Sequence, residues 1–267
     1  MNFTFNHLPI DAVKPLSTTT DKYKFKSTRE ITNFLESRGF NVWKIKDSRL
    51  NKKNLHKQGF QKHIVRLDHD MLKIDDKNRL QITVVNSHDG TTSLKIGLGI
   101  YRIVCQNGLV VGKAFEEFSI KHIGQGFYEQ IDKALNEVLE VAAKYKELVK
   151  SMQTIELNNE QIQSFITKVS MKRLINIENV SEIDYNSYMP KRAEDNKTDL
   201  YTVLNVIQEI SIRGGLKYKT VEKIEKDGNV IDIFKNRTTR KINSISTDLE
   251  LNKFIFDTAM EYITKAA

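Results

Sequence analysis

Residues 81–85 and 94–104 are two runs rich in β-branched side chains, separated by His88-Asp89-Gly90, where a glycine suits the positive φ of a tight reversal. The pattern predicts a β-hairpin. Asn107-Gly108 predicts a second turn that returns residues 109–111 as a third strand. Upstream, residues 41–45 and the alternating residues 62–68 predict further strands, with residues 52–59 between them as a loop, and residues 118–123 predict an edge strand. After Gly124-Gln125-Gly126 the apolar period lengthens. Phe127, Ile131, Leu135, Val138, Ala142, Tyr145 and Val149 are spaced by four and three, which predicts a long helix with one apolar stripe. The partner expected for that stripe is the preceding sheet, with an oligomer seam as the alternative.

Helix boundaries are also marked. Ser27-Thr28-Arg29-Glu30 has the spacing of a capping box, predicting a helix that runs to about Arg38 and stops at Gly39. Further helices are predicted over residues 159–174, over 198–213 with Gly214-Gly215 closing it, and from a second capping box at Thr247-Asp248-Leu249-Glu250 to about Lys265. Residues 216–225 and 230–234 flank Asp227-Gly228-Asn229 as a second hairpin. The fold class expected is α+β: an antiparallel sheet with a long packing helix, then a mainly helical C-terminal part with a small hairpin. The segments expected are an N-terminal arm and basic segment (1–60), a central sheet plus long helix (61–152), and the helical remainder (153–267), packed on the centre as one unit. With Pro9, Pro15 and Pro190 as its three prolines and twelve glycines, the chain has no Pro/Gly-rich linker.

Asn86-Ser87-His88-Asp89-Gly90, the string from Tyr101 through Gln106 to Leu109, and His122 between Lys121 and Ile123 occur in an order and spacing that resemble the phage- and plasmid-related proteins grouped as domain of unknown function 932. Residues 198–209 resemble that family's aromatic-plus-Asn helix, with Leu204 standing where a second aromatic-rich stretch is usual, and residues 240–252 resemble its final segment. The resemblance implies a protein carried by phages, plasmids or integrative elements. It implies no catalytic residues.

Charge changes the picture more than composition does. The chain is 39% hydrophobic and 28% charged, ordinary for a globular protein, and its single cysteine excludes an internal disulfide framework or a multi-thiolate zinc site. No run of about 18 apolar residues spans a bilayer, and the N-terminus lacks the order of a secretory signal, so a cytoplasmic protein without membrane contact is expected. The formal net charge is +8. A surplus of that size lies in one segment, where Arg38, Lys44, Lys46, Arg49, Lys52, Lys53, Lys57, Lys62 and Arg66 meet Asp47 as the lone acid. Trp43 and Phe60 are interleaved there, and cations alternating with aromatics pair phosphates while stacking on exposed bases. A weaker basic cluster between Arg213 and Lys241 is diluted by Glu222, Glu225, Asp227 and Asp232.

Other residues carry candidate chemistry beside a plainer role. His88-Asp89 has the makings of a general-base pair, yet Asp89 before Gly90 suits turn formation. Cys105 would be a nucleophile with His88 or His122 as base, or a small packed apolar residue. His63, Asp68, His69 and Asp70 have a loose metal-ligand spacing, set against strand-end acids beside a turn. Gly97 and Gly99 fall inside a strand and make no phosphate loop. Arg102, in an apolar strand, is expected either beside an acid such as Glu116 or Glu117 or on an open face meeting phosphate.

The function expected is non-enzymatic nucleic-acid binding, DNA before RNA, in single-strand binding or annealing during replication or recombination. The site residues are Trp43, Lys44, Lys46, Arg49, Lys52, Lys53, Lys57, Phe60, Lys62, Arg66 and Arg102, with no catalytic residue, metal or cofactor. The order of strands and long helix is similar in topology to the β-β-β-α core of Rad52-type annealing proteins, an analogy that does not fix function. Alternatives are an enzyme on nucleic acid using His88, Asp89 and His122, and a protein-binding inhibitor of a host factor. A second copy of the chain is a further expected partner.

Overall fold

The computed structural model describes residues 8–102, 107–110, 119–122, 126–226 and 229–266. The chain divides into two compact units, Met1–Lys146 with Asn243–Ser246, and Glu147–Ile242 with Thr247–Ala267. The content is α+β, as the periodicities predict.

The first unit opens with an irregular arm and α1 (Thr28–Glu36). Ser27 occupies the N-cap, but its side chain makes no capping bond. The expected box is absent because Thr28 and Thr32 turn inward with Ile31 and Leu35, all 0% exposed. Five strands follow in a meander, β1 (Asn41–Asp47), β2 (His63–Asp68), β3 (Asn78–Asn86), β4 (Leu94–Arg102) and β5 (Asn107–Val110), in the order β1-β2-β3-β4-β5, with the short β6 (Ser119–Ile120) pairing β4. The described neighbours on this path are antiparallel. Gly90 has φ 73° and turns the central hairpin.

Two local expectations give way. Residues Lys52–Lys57 form a 3-10 helix in which Asn51 accepts a hydrogen bond from the Asn54 amide, since an Asx cap needs no apolar content. Asn107 and Gly108 are strand residues, paired with Arg102 and Tyr101, so they do not form the turn expected there. Cys105, Glu116 and Glu117 lie outside the described residues, as does the side chain of Arg102.

Because cross-strand neighbours share a face, the registers sort the first sheet into two surfaces. Ile45, Val65, Val84 and Ile96 form one row, and Leu67, Ile82 and Leu98 form the next. From Val65 onward these side chains are 0% exposed. Ile131, Leu135 and Val138 of α2 (Phe127–Met152) are buried in the same unit, and α2 meets α1 through the Phe34 and Tyr128 rings at 4.9 Å and the Arg38–Asp132 ion pair.

The second unit holds α3 (Asn159–Arg173), started by a capping box of Asn158 and Gln161, and α4 (Leu200–Arg213), whose Asp199 cap accepts from the Thr202 amide. Gly214 ends α4 at φ 87°, where a Cβ would lie 2.6 Å from the Thr239 carbonyl oxygen and 2.8 Å from the Lys241 nitrogen. Only glycine fits that approach. The last helix, α5 (Ile245–Ala266), begins two residues before Thr247, so the second expected capping box lies inside its first turn, where Ile245 is 1% exposed. β7 (Val180–Ile183), β8 (Lys217–Lys226) and β9 (Asn229–Thr238) make a three-stranded antiparallel sheet with β9 at its edge. The hairpin of β8 and β9 matches the sequence pattern. β7 carries too few apolar positions to have announced itself.

Candidate functional site

The surface opposite the apolar face of the first sheet is basic. Lys44 stands opposite Arg66, Lys46 opposite Ile64, and Lys95 opposite Val85, which itself pairs Ile64. These cations, together with Arg79, therefore share one face across four strands. Asp68 is also on it and is taken up by an ion pair with Arg79. The Lys62 ammonium is held below the usual lysine range, first by burial and then by repulsion from Lys95, with Asp89 opposing. Like charges thus face each other across this surface. Along β3 the middle of the same face, Gln81, Thr83 and Val85, is 1% exposed, and both amide atoms of Gln81 lack a hydrogen-bond partner. The reachable part is the β1–β2 margin.

A β-bulge sits in that margin. Val42 pairs Leu67 and Lys44 pairs Arg66, adjacent residues of β2, so Trp43 is the extra residue. Its ring turns to the basic side, 5.8 Å from the Arg79 guanidinium, and is 47% exposed. Arg49, Lys52 and Lys53 are exposed on the β1–β2 connection. Lys57 points elsewhere, to Asp89 at 3.0 Å, and Phe60 is half-buried while its carbonyl accepts the His88 amide. Of the expected residues, then, Trp43, Lys44, Lys46 and Arg66 share the face, Lys62 adjoins it, and Lys57 is engaged with an acid. Arg79 and Lys95 lie outside the local run of charge that marks the others in the sequence, and only strand register brings these two to the face.

Beneath the hairpin turn lies a buried polar cluster. Thr28 Oγ1 is 2.8 Å from His63 Nε2, 3.1 Å from His88 Nε2 and 2.9 Å from Asn86 Nδ2. The His63 tautomer follows from a backbone carbonyl, and those of His88 and His122 from the side chains they meet. His63 Nδ1 is 3.0 Å from the Gln61 oxygen and must donate, so its Nε2 accepts the Thr28 hydroxyl proton. Thr28 then accepts from Asn86 and from His88 Nε2–H, and its capacity is filled. Asn86 Oδ1 receives the Ser87 amide and His122 Nε2–H at 2.8 Å. Nδ1 of His88 and of His122 is buried and makes no hydrogen bond of ordinary geometry, with the backbone of Pro9 beside the first ring and that of Lys24 beside the second. Burial lowers all three imidazoles, His63 and His122 to about 4 and His88 to about 3, the last also through the neighbouring His63 and His122.

His88 and His122 are thus linked through Thr28 and Asn86, yet they are 0% and 5% exposed, and so weakly basic an imidazole is a poor proton acceptor near neutrality. Asp89, its side chain 4% exposed, is pushed up by burial but held below the usual range overall by Thr91, Lys57 and Ser87. What the cluster visibly does is fasten the N-terminal arm. The Leu16 amide donates to the His88 carbonyl and the Lys24 amide to the His122 carbonyl, Tyr23 Oη donates to the Ser87 carbonyl, and the Tyr23 and Phe25 rings pack on His122 and His88. His63 and Asp68, at opposite ends of β2, are about 17 Å apart by strand rise. Among the described residues no group of three or more His, Cys, Asp or Glu side chains is placed to hold a metal ion. No described helix is long and apolar enough to cross a membrane.

The chain is therefore an α+β protein with a cationic sheet face and a histidine-pinned arm. Residues 15–253 match the model of the family described as domain of unknown function (DUF932), and the chain belongs to that family. The UPF0380 proteins YfjQ and YafZ of Escherichia coli (strain K12) are each 28% identical to it over 246 residues, covering 92% of this chain and 84% of theirs. No solved structure matches.

Proposed function

We propose that the protein is a non-enzymatic nucleic-acid-binding protein of a phage or plasmid type mobile element, working in the cytoplasm on single-stranded DNA during replication or recombination. The observation that carries this reading is the convergence of Lys44, Lys46, Arg66, Arg79 and Lys95 on one sheet face, with a half-exposed Trp43 at its margin. Cations gathered on a pleated surface suit a backbone of phosphates, and an indole beside them suits an unstacked base. A duplex keeps its bases stacked inside and would use the charge without the ring.

Trp43 is the one tryptophan of the chain, so its emission reports on the site directly. Titration with matched single-stranded and duplex oligonucleotides at low and moderate salt is expected to quench Trp43 with the single strand only, and Lys46→Glu with Arg66→Glu is expected to weaken binding of both by about tenfold or more. Equal binding of single strand and duplex without a change in emission would refute the single-strand reading. No binding of either at low salt would refute nucleic-acid binding, and would turn attention to an acidic protein partner.

A further inference from the structure

The three-stranded sheet of the second unit ends in a bare two-stranded arm. β7 pairs β8 only as far as Thr220, and the Val221 amide donates to the Asn179 carbonyl. Beyond that point β8 and β9 have only each other among the described residues, and β9 forms the outer edge. A two-stranded ribbon is marginal in water on its own. This one is also apolar where a free arm should be polar, with Ile224 39%, Val230 69%, Ile231 43%, Ile233 37% and Phe234 60% exposed. Edge strands of monomers are normally shielded by charge, proline or bulges. The described part of β9 pairs with β8 without a register shift and contains no proline, and its charges are Asp232, Lys235 and Arg237, which leaves Asp232 as the one charge from Asn229 to Phe234.

We propose that β9 is a homodimer interface, pairing antiparallel with β9 of a second copy in the register centred on Asp232. A two-fold axis perpendicular to the sheet carries each face of one arm into the same face of the other, so odd residues must oppose odd and even oppose even. Centring on Asp232 sets Ile231 against the second copy's Ile233, and Val230 against its Phe234, each twice. On one face the row across the four strands becomes Ile224, Ile231, Ile233, Glu222, and on the other Glu225, Val230, Phe234, Val221, as the β8–β9 register dictates. The neighbouring registers fail. Centring on Ile233 sets Asp232 against Phe234 and Ile231 against Lys235, and centring on Ile231 sets Val230 against Asp232. The central row opposes two Asp232 side chains, but Lys223 stands opposite each of them within its own copy, so the row reads Lys, Asp, Asp, Lys and is neutral. This surface complements itself, which selects a second copy over an unrelated partner.

The test is sedimentation of the full chain with and without Ile233→Lys, and thiol crosslinking of Asp232→Cys in a Cys105→Ser background with Asn236→Cys as the control. The wild type is expected to be a dimer at micromolar concentration. Ile233→Lys should raise the dimer Kd by about a hundredfold or more with unchanged far-ultraviolet circular dichroism. A short bifunctional reagent should join Asp232→Cys chains and leave Asn236→Cys chains apart. A wild type that is monomeric at the highest concentration reached, a dimer indifferent to Ile233→Lys, or equal crosslinking at both positions overturns the proposal. So does a monomer whose DNA affinity falls on Phe234→Glu, since the arm would then be meeting nucleic acid.

Discussion

Thr28 is a hydroxyl with every valence for hydrogen bonding in use, buried between two histidines and an asparagine. Thr28→Val keeps the shape and strands a histidine N–H, an amide N–H and an imidazole acceptor away from water, so urea unfolding should show a loss of about 2–4 kcal/mol. Thr28→Ser keeps the hydroxyl and should cost less than half of that. The histidines around it give a pH signature of definite sign. Each is neutral in the folded state down to about pH 4 or below, whereas an unfolded histidine takes its proton near pH 6.5. Above that value they do not penalise folding. As the pH falls from about 6.5, the unfolded state gains protons the folded state refuses, costing about 2 kcal/mol per histidine by pH 5.

Among the elements, the glycine stop of α4 and the Gly90 turn were legible from sequence, the Asn107-Gly108 turn was not, and the faces were the least legible. Gly214 was recognisable as a stop because a glycine pair followed a periodic run. Its contact with the backbone at Thr239 was not legible, since nothing local to residue 214 encodes it. Gly214→Ala combines a positive φ with a clash against main chain that cannot rotate away, and thermal unfolding should show a loss of at least about 2 kcal/mol. The strands of the first sheet could be placed within a few residues because alternation is a local signal. Which cations share a surface depends on the register between strands far apart in sequence, which is why Lys95 joined Lys46 only in the folded sheet. The histidine cluster failed to show itself for the same reason. His63, His88 and His122 are scattered through the sequence and meet at Thr28 and Asn86, which the local pattern marks only as part of a capping box and of a family string.

At the scale of the whole molecule, histidine is confined to one unit: His7, His56, His63, His69, His88 and His122 all precede residue 147. The second unit leans instead on carboxylates such as Glu209, which burial pushes up but which Arg192 and Arg213 hold below the usual range, so its contribution persists until the pH drops below about 4.5. Between about pH 6.5 and 4.5 the two units should therefore part company. Hydrogen exchange should show residues 60–90 losing protection while residues 200–213 keep theirs. The same unit carries the cationic face, and log K for DNA against log salt should lose about two phosphates' worth of slope in Lys46→Glu with Arg66→Glu. The bulge in β1 bears on how such a face is acquired. Because Val42 and Lys44 pair adjacent residues of β2, Trp43 can be removed or supplied by a single-codon deletion or insertion that leaves the pairing on either side intact. A lineage can thus gain or shed the aromatic at this surface in one mutational step, without disturbing the cations beside it.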